Sequence, residues 1–206
     1  MTIQTVVFDI GNVLLEWHPH RMYDAVIGEE RRRALFAEVD LSGMNLDVDR
    51  GAPFKASVEG MAAQHPEWHD EIMLWHDRWL DMASPAIDHS IRLMHTLQAK
   101  GIPVVSLTNF GVDTYAFAAT HYPFMNDFDV DFISGHTKVI KPDPAIYQML
   151  EDKLGLSGDA LIFTDDSAAN IAAANARGWG THLFEGSTGW ADRLVAEGLL
   201  TEEEAR

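Results

Sequence analysis

Six polar residues end or interrupt apolar runs in this chain where core-building alone does not call for them: Asp9, Thr108, Asn109, Lys141, Asp165 and Asp166. Asp9 closes the run Val6-Val7-Phe8, and Gly11, with no side chain, follows two positions later. An aspartate can attack phosphorus and form an aspartyl-phosphate. A hard dication such as Mg²⁺, held by one or two carboxylates and waters, would neutralise charge between that nucleophile and a phosphate. A lysine and a threonine hydroxyl would then supply donors to the phosphoryl oxygens. Singly, each residue has a plainer account: Asp9 as the start of a turn, Thr108-Asn109 as the cap of the next helix, and Lys141 as a solvated loop lysine. Their convergence at one edge is what points to phosphoryl transfer.

That convergence depends on the elements that carry them. Short apolar, β-branched runs end in polar residues at Val6–Asp9, Pro103–Asn109, Phe132–Ser134, Leu161–Asp165 and Thr181–Phe184. Helical patterns separate the later runs, at Pro85–Lys100, Val112–His121, Pro144–Leu154, Ala168–Arg177 and Gly189–Glu197. Buried strands alternating with amphipathic helices predict an α/β fold, a Rossmann-like doubly wound parallel sheet. Asp143-Pro144 suits a helix start and Gly178 a helix stop. Ligands of such sheets bind outside the carboxyl ends of the strands, where Asp9, Thr108-Asn109 and Asp165-Asp166 fall, with Lys141 in a nearby loop.

The alternation fails between Trp17 and Ser84, where helical stretches rich in Trp, Met and His predict an inserted subdomain of about four helices. The large apolar residues there, among them Trp68, Trp75 and Trp79, are expected to form its core. The domain reading is therefore residues 1–16 and 85–206 as the core and 17–84 as the insert.

A formal net charge of −17, from 15 basic and 32 acidic residues, argues against a nucleic-acid partner. It also means that an anionic substrate needs a local positive site. No apolar run is long enough to span a membrane and no secretory signal is visible, so a cytoplasmic protein without membrane contact is expected. With no cysteine there is no thiolate metal site. His65, His69 and His76 do not form a recognisable metal motif, Arg31-Arg32-Arg33 reads as a solvated helix face, and Glu202–Glu204 as a frayed end.

In order along the chain, FDIGNVL, SLTN, KPDPAIY and FTDDSAANIAAANARGW resemble the four motifs of the haloacid dehalogenase (HAD) superfamily. The match is nearest to its sugar-phosphate phosphatase and epoxide-hydrolase N-terminal-like branch, which carries a small helical cap after the first strand. The resemblance implies a Mg²⁺-dependent phosphatase acting on a small phosphate monoester. Asp9 would be the nucleophile and a metal ligand, and Gly11 would lend its backbone carbonyl to the metal. Thr108, Asn109 and Lys141 would hold the phosphate. Asp166 would bind the metal directly and Asp165 directly or through water, with Ser167 and Asn170 supporting that loop.

One departure stands out. Phosphatases of the superfamily commonly carry a second aspartate at the position of Gly11, which protonates the leaving oxygen; such help is worth about 10²–10⁴-fold. His18 or His20 could supply the proton, or the leaving group could be a good one such as an anomeric oxygen. The rival readings are a metal-independent 2-haloacid dehalogenase and a non-catalytic binding protein, but the Asp165-Asp166 pair would repel a carboxylate substrate unless a cation sat among them. Asn45, Asp47 and Arg50 of the insert are candidate substrate contacts.

Overall fold

The computed structural model describes residues 3–206. Four strands, β1 Thr5–Phe8, β2 Val104–Ser106, β3 Leu161–Asp165 and β4 Gly180–Leu183, form one sheet in the order β2-β1-β3-β4. All pairings are parallel, with Val6 opposite Val104 and Ile162. β1 is central and wholly buried, which suits its Thr-Val-Val-Phe sequence of β-branched and aromatic residues. Side chains alternate between two apolar layers, as the two-residue strand period requires. Val6, Phe8, Val104 and Ile162 pack into one, and Val7, Val105, Leu161 and Phe163 into the other.

Six α-helices fall within the insert that follows β1: α1 Pro19–Ile27, α2 Glu29–Glu38, α3 Leu41–Asp49, α4 Phe54–Gln64, α5 His69–Asp77 and the short α6 Trp79–Met82. About four were expected; helix breaks at Gly28 and Arg78, each the cap between two consecutive helices, divide the region more finely. The rest of the chain contributes α7 Asp88–Ala99, α8 Val112–His121, α9 Ser134–Thr137, α10 Pro144–Leu154, α11 Ala168–Asn175 and α12 Ser187–Ala196. α7 and α12 cover one face of the sheet through Met94, Leu97, Trp190 and Leu194. α10 and α11 cover the other through Ile146, Tyr147, Leu150 and Ala174. This is the doubly wound arrangement that the alternating pattern predicts.

The insert has no core of its own. Tyr23, Leu35, Ile72, Trp75 and Trp79 belong to the same continuous apolar cluster as Phe8, Met94 and Trp190. Edge-to-face and tilted contacts tie Trp17 to Trp75 and Trp79 at ring-centroid distances of 6.0 and 5.9 Å.

Three local expectations differ from the structure. Phe132–Ser134 is not a strand. The segment runs parallel beside β2 through isolated bridges at Val105–Val130 and Thr108–Ile133. The ladder is interrupted because the Phe132 N–H goes to the Ser106 hydroxyl, at 3.0 Å, and Ser134 already begins α9. The arginine triplet is not simply solvated: Arg31 pairs with Glu71 and lies 4.7 Å over the Trp68 ring, and Arg32 pairs with Asp24 at 2.7 Å. The acidic C-terminus is anchored, since Glu204 accepts from Lys100 and from the Thr201 N–H and Ala205 is buried.

Candidate functional site

In the strand order β2-β1-β3-β4 the direction of winding reverses at β1, which opens a crevice beyond the carboxyl ends of β1 and β3. Asp9 is the first residue after β1, and its N–H still donates to Thr164 O at 3.0 Å. That bond carries the parallel register one step past the strand and places Asp9 beside Asp165, the last residue of β3. Thr108 is held in the same way: its N–H donates to Phe132 O and its carbonyl accepts from Ser134 N–H.

Lys141 joins these ends. Its Nζ lies 2.9 Å from Asp9 Oδ1 and 2.6 Å from Asp165 Oδ2, and its side chain is 1% exposed. The lysine reaches that point because Asn109 grips its backbone twice. Asn109 Oδ1 accepts from Lys141 N–H at 2.7 Å, and Asn109 Nδ2 donates to Lys141 O at 3.0 Å. Burial alone would lower the lysine pKa, but the two carboxylates outweigh it and raise it, so the ammonium stays charged. Burial pushes the Asp9 carboxyl up to about 7, while Lys141 pulls in the opposite direction.

The two adjacent aspartates have different surroundings. Asp165 is fully buried and both its oxygens are engaged, by Lys141 Nζ, by the Ser167 N–H at 2.7 Å and by Asn170 Nδ2 at 3.0 Å to each oxygen. Asp166 is exposed and accepts from Asn12 Nδ2 at 2.8 Å. Carboxylate oxygens of Asp9, Asp165 and Asp166 lie within 4.8 Å of one another, the one such cluster among the described residues. Oxygen-only donors so close together suit a hard divalent cation.

These residues open onto a cavity of about 200 Å³. Asp9, Gly11, Thr108, Asn109, Lys141 and Asp166 line its sheet side; Asp165 lies behind it. The far wall comes from the insert and the Phe110 loop: Trp17, Asn45, Asp49, Trp79 and Phe110. Trp79 thus serves both the apolar cluster and the cavity wall, packing 5.7 Å from Phe110.

Of the insert residues singled out from sequence, Asn45 lines this cavity. Asp47 and Arg50 line a different surface cleft, paired with each other at 3.4 Å. His18 and His20 line an outer cleft on the other side of Trp17, and His20 packs against Phe36. His69 and His76 bond to the neighbouring Asp70 and Asp77.

Two residues at the site carry contacts that sequence reasoning did not anticipate. Asn12 sits at φ +55°, a conformation that asparagine adopts more readily than most residues, and bridges Asp166 to the Trp17 N–H. Asp49 lies four residues after Asn45 on the same helix. That spacing, on a helix whose other buried positions are Leu41, Met44 and Val48, is the signal that could have found it.

The chain matches the family model for haloacid dehalogenase-like hydrolases over residues 3–178. Among solved structures it is similar to a HAD-family enzyme of Bacteroides thetaiotaomicron in complex with magnesium and inorganic phosphate. The identity is 19% and the TM-score 0.68, covering 87% of this chain and 93% of that one. A HAD-like hydrolase of Porphyromonas gingivalis matches at 18% identity and TM-score 0.70, over 95% and 98% of the two chains. L-2-haloacid dehalogenase of Xanthobacter autotrophicus, with chloropropionic acid covalently bound, matches at 17% and 0.61, over 97% and 85%. At these identities the structures speak for the fold alone. The family match across most of the chain does more: with its crevice at the ends of β1 and β3, this protein belongs to the haloacid dehalogenase-like hydrolases.

Proposed function

We propose that the protein is a Mg²⁺-dependent phosphatase of the sugar-phosphate phosphatase and epoxide-hydrolase N-terminal-like branch, hydrolysing a small phosphate monoester through an aspartyl-phosphate on Asp9. The observation that carries this reading is the buried Lys141 shared between Asp9 and Asp165, beside a second exposed carboxylate, Asp166. The Bacteroides relative with magnesium and phosphate supports it.

Asp9, Gly11 and Asp166 line the cavity, and the two carboxylates with the Gly11 carbonyl would hold the metal; Asp165, its oxygens already engaged, would reach it through water. Bound there, Mg²⁺ supplies charge neutralisation between the nucleophile and the phosphoryl group. Lys141, Thr108 and Asn109 donate to the phosphoryl oxygens, and Asn109 also fixes the lysine backbone. Asp165 keeps Lys141 in place and aligned with Asp9. Residues 1–16 and 85–206 act as the catalytic core, and residues 17–84 as the cap that shapes the leaving-group pocket. A haloacid substrate fits less well, because its carboxylate would enter a cavity edged by Asp9 and Asp166.

Purified protein is to be tested on a panel of sugar and alkyl phosphates with Mg²⁺ and with EDTA. Phosphate release that stops on chelation and is abolished by Asp9→Asn is the expected result. Metal-independent turnover, haloacid turnover, or activity retained by Asp9→Asn overturns the reading.

A further inference from the structure

Gly11 leaves one task of a phosphatase without an owner, the protonation of the leaving oxygen. A Cβ built on Gly11 would meet no atom within 4 Å, so the space above it is open to substrate. The histidines nearest in sequence, His18 and His20, line the outer cleft and not this cavity, whereas Asn45 and Asp49 line both. Two acids besides the sheet-rim carboxylates line the cavity, Glu16 and Asp49; Glu16 is paired with Arg21 at 2.7 Å, which leaves Asp49, contributed by the insert.

Asp49 is buried and among the described residues forms no salt bridge; its neighbour Arg50 pairs with Asp47 instead. Its carboxylate is held by neutral donors. Asn45 Nδ2 donates to Asp49 Oδ2 at 3.1 Å, and Asn45 is itself oriented by Trp75, whose Nε1 donates to Asn45 Oδ1 at 3.3 Å. The backbone is fixed against the sheet rim as well. The Ser134 hydroxyl donates to Asp49 O at 2.6 Å, and the same hydroxyl accepts from Phe110 N–H at 2.9 Å.

Glycines make that seam close. A Cβ on Gly111 would lie 2.5 Å from Val48 Cγ1, and one on Gly51 would lie 2.6 Å from Gly135 O. The end of α3 is therefore registered against the loops that follow Thr108, although it belongs to the insert.

We propose that Asp49 is the proton donor to the leaving oxygen, an assignment that rests on the phosphatase reading above. In the first step Asp9 Oδ bonds to phosphorus, the bond from phosphorus to the leaving oxygen breaks, and the Asp49 carboxyl proton passes to that oxygen. The products are the alcohol, the aspartyl-phosphate and an Asp49 carboxylate. In the second step water attacks the aspartyl-phosphate, its proton returns to Asp49, and inorganic phosphate and the Asp9 carboxylate are released. Burial pushes the Asp49 carboxyl up to about 7, while the Gly111 N–H, Arg50, Lys141 and Asn45 pull it down. A neutral acid near pH 7 has the proton this step needs.

The test is kcat/KM for Asp49→Asn and wild type with Mg²⁺ on two probes, p-nitrophenyl phosphate and glycerol phosphate. General acid help matters most for the poor leaving group, so the expected loss is about 100-fold or more on glycerol phosphate and at least tenfold smaller on the aryl ester. The aryl ester also reports that the variant is folded. Equal losses on both probes would make Asp49 a structural residue, and an unchanged kcat/KM on glycerol phosphate would make it a bystander; either overturns the proposal. Wild-type protein that hydrolyses neither probe overturns the phosphatase reading, and this proposal with it.

Discussion

The sheet rim and the helical insert each bury a carboxyl group in the lining of the same cavity, and they surround it in different ways. At the rim, Asp9 has a cation 2.9 Å away, delivered by a loop that Asn109 locks in place. In the insert, Asp49 has only neutral donors, Asn45 and the Gly111 N–H, in direct contact. Burial raises both to about 7. The difference lies in the company each keeps. A carboxyl with an adjacent ammonium is suited to being ionised, and one among neutral donors is suited to keeping its proton. A cation in contact with one acid and neutral donors in contact with the other is the kind of contrast that separates nucleophile from acid.

The comparison breaks most visibly at Lys141. Lys141→Met leaves Asp9 and Asp165 as buried carboxylates with no counter-ion, and loss of one partner of such a pair costs about 3–5 kcal/mol. Thermal unfolding should show that loss, and phosphate release should fall by about 10²–10³-fold as a donor to the phosphoryl group disappears. Without the ammonium Asp9, which burial already pushes up to about 7, holds its proton more tightly still in the fold than in the unfolded chain. The stability deficit should therefore be larger at pH 8 than at pH 5; a deficit independent of pH would mean that the lysine is not the counter-ion of Asp9.

Asp49 should behave in the reverse sense. Its folded pKa of about 7 exceeds the unfolded value of 3.8, so the wild-type fold loses stability as pH rises through that window. Asp49→Asn removes the titrating group while keeping its shape. The variant should gain about 1–3 kcal/mol over wild type at pH 8, with the gain shrinking towards zero below pH 4. Denaturant unfolding at the two pH values measures this, and a variant less stable than wild type at pH 8 would show that the carboxylate is not held at a cost. A more stable but less active protein is the usual mark of a strained functional group.

The smallest effect sharpens the boundary of the site. Asp47→Ala and Arg50→Ala, on the other side of α3, should each change stability by no more than about 0.5 kcal/mol and turnover by no more than about twofold. A larger loss of turnover would extend the functional surface beyond the cavity.

What could be read from residue order differs between the two regions for a physical reason. The rim was legible because a parallel sheet brings all its strand ends to one edge. Finding where Val6-Val7-Phe8 and Leu161-Ile162-Phe163-Thr164 stop was therefore enough to bring Asp9 and Asp165 together. The expected strand at Phe132–Ser134 failed because one serine side chain captured a ladder N–H, a competition between side chain and backbone that a hydropathy pattern does not register.

In the insert, the segment holding Asn45, Asp47 and Arg50 was recognised as polar and near the site, but which of its residues face the cavity was not. Helical periodicity groups Asn45 with Asp49 and separates both from Asp47. Only the packing of Leu41, Met44 and Val48 into the apolar cluster brings that group to the lining of the cavity. Sequence by itself determined the fold class, the motif residues at the strand ends and the missing side chain at Gly11. These are local facts, carried by strand period, turn chemistry and residue type. Tertiary structure decided that Lys141 lies between two carboxylates, that Asp165 is behind the cavity and Asp166 at it, and that Asp49 of the insert lines the cavity that holds the nucleophile. Those relations depend on contacts between segments far apart in the chain, whose directions are set by how the apolar surfaces of the insert and the sheet fit together.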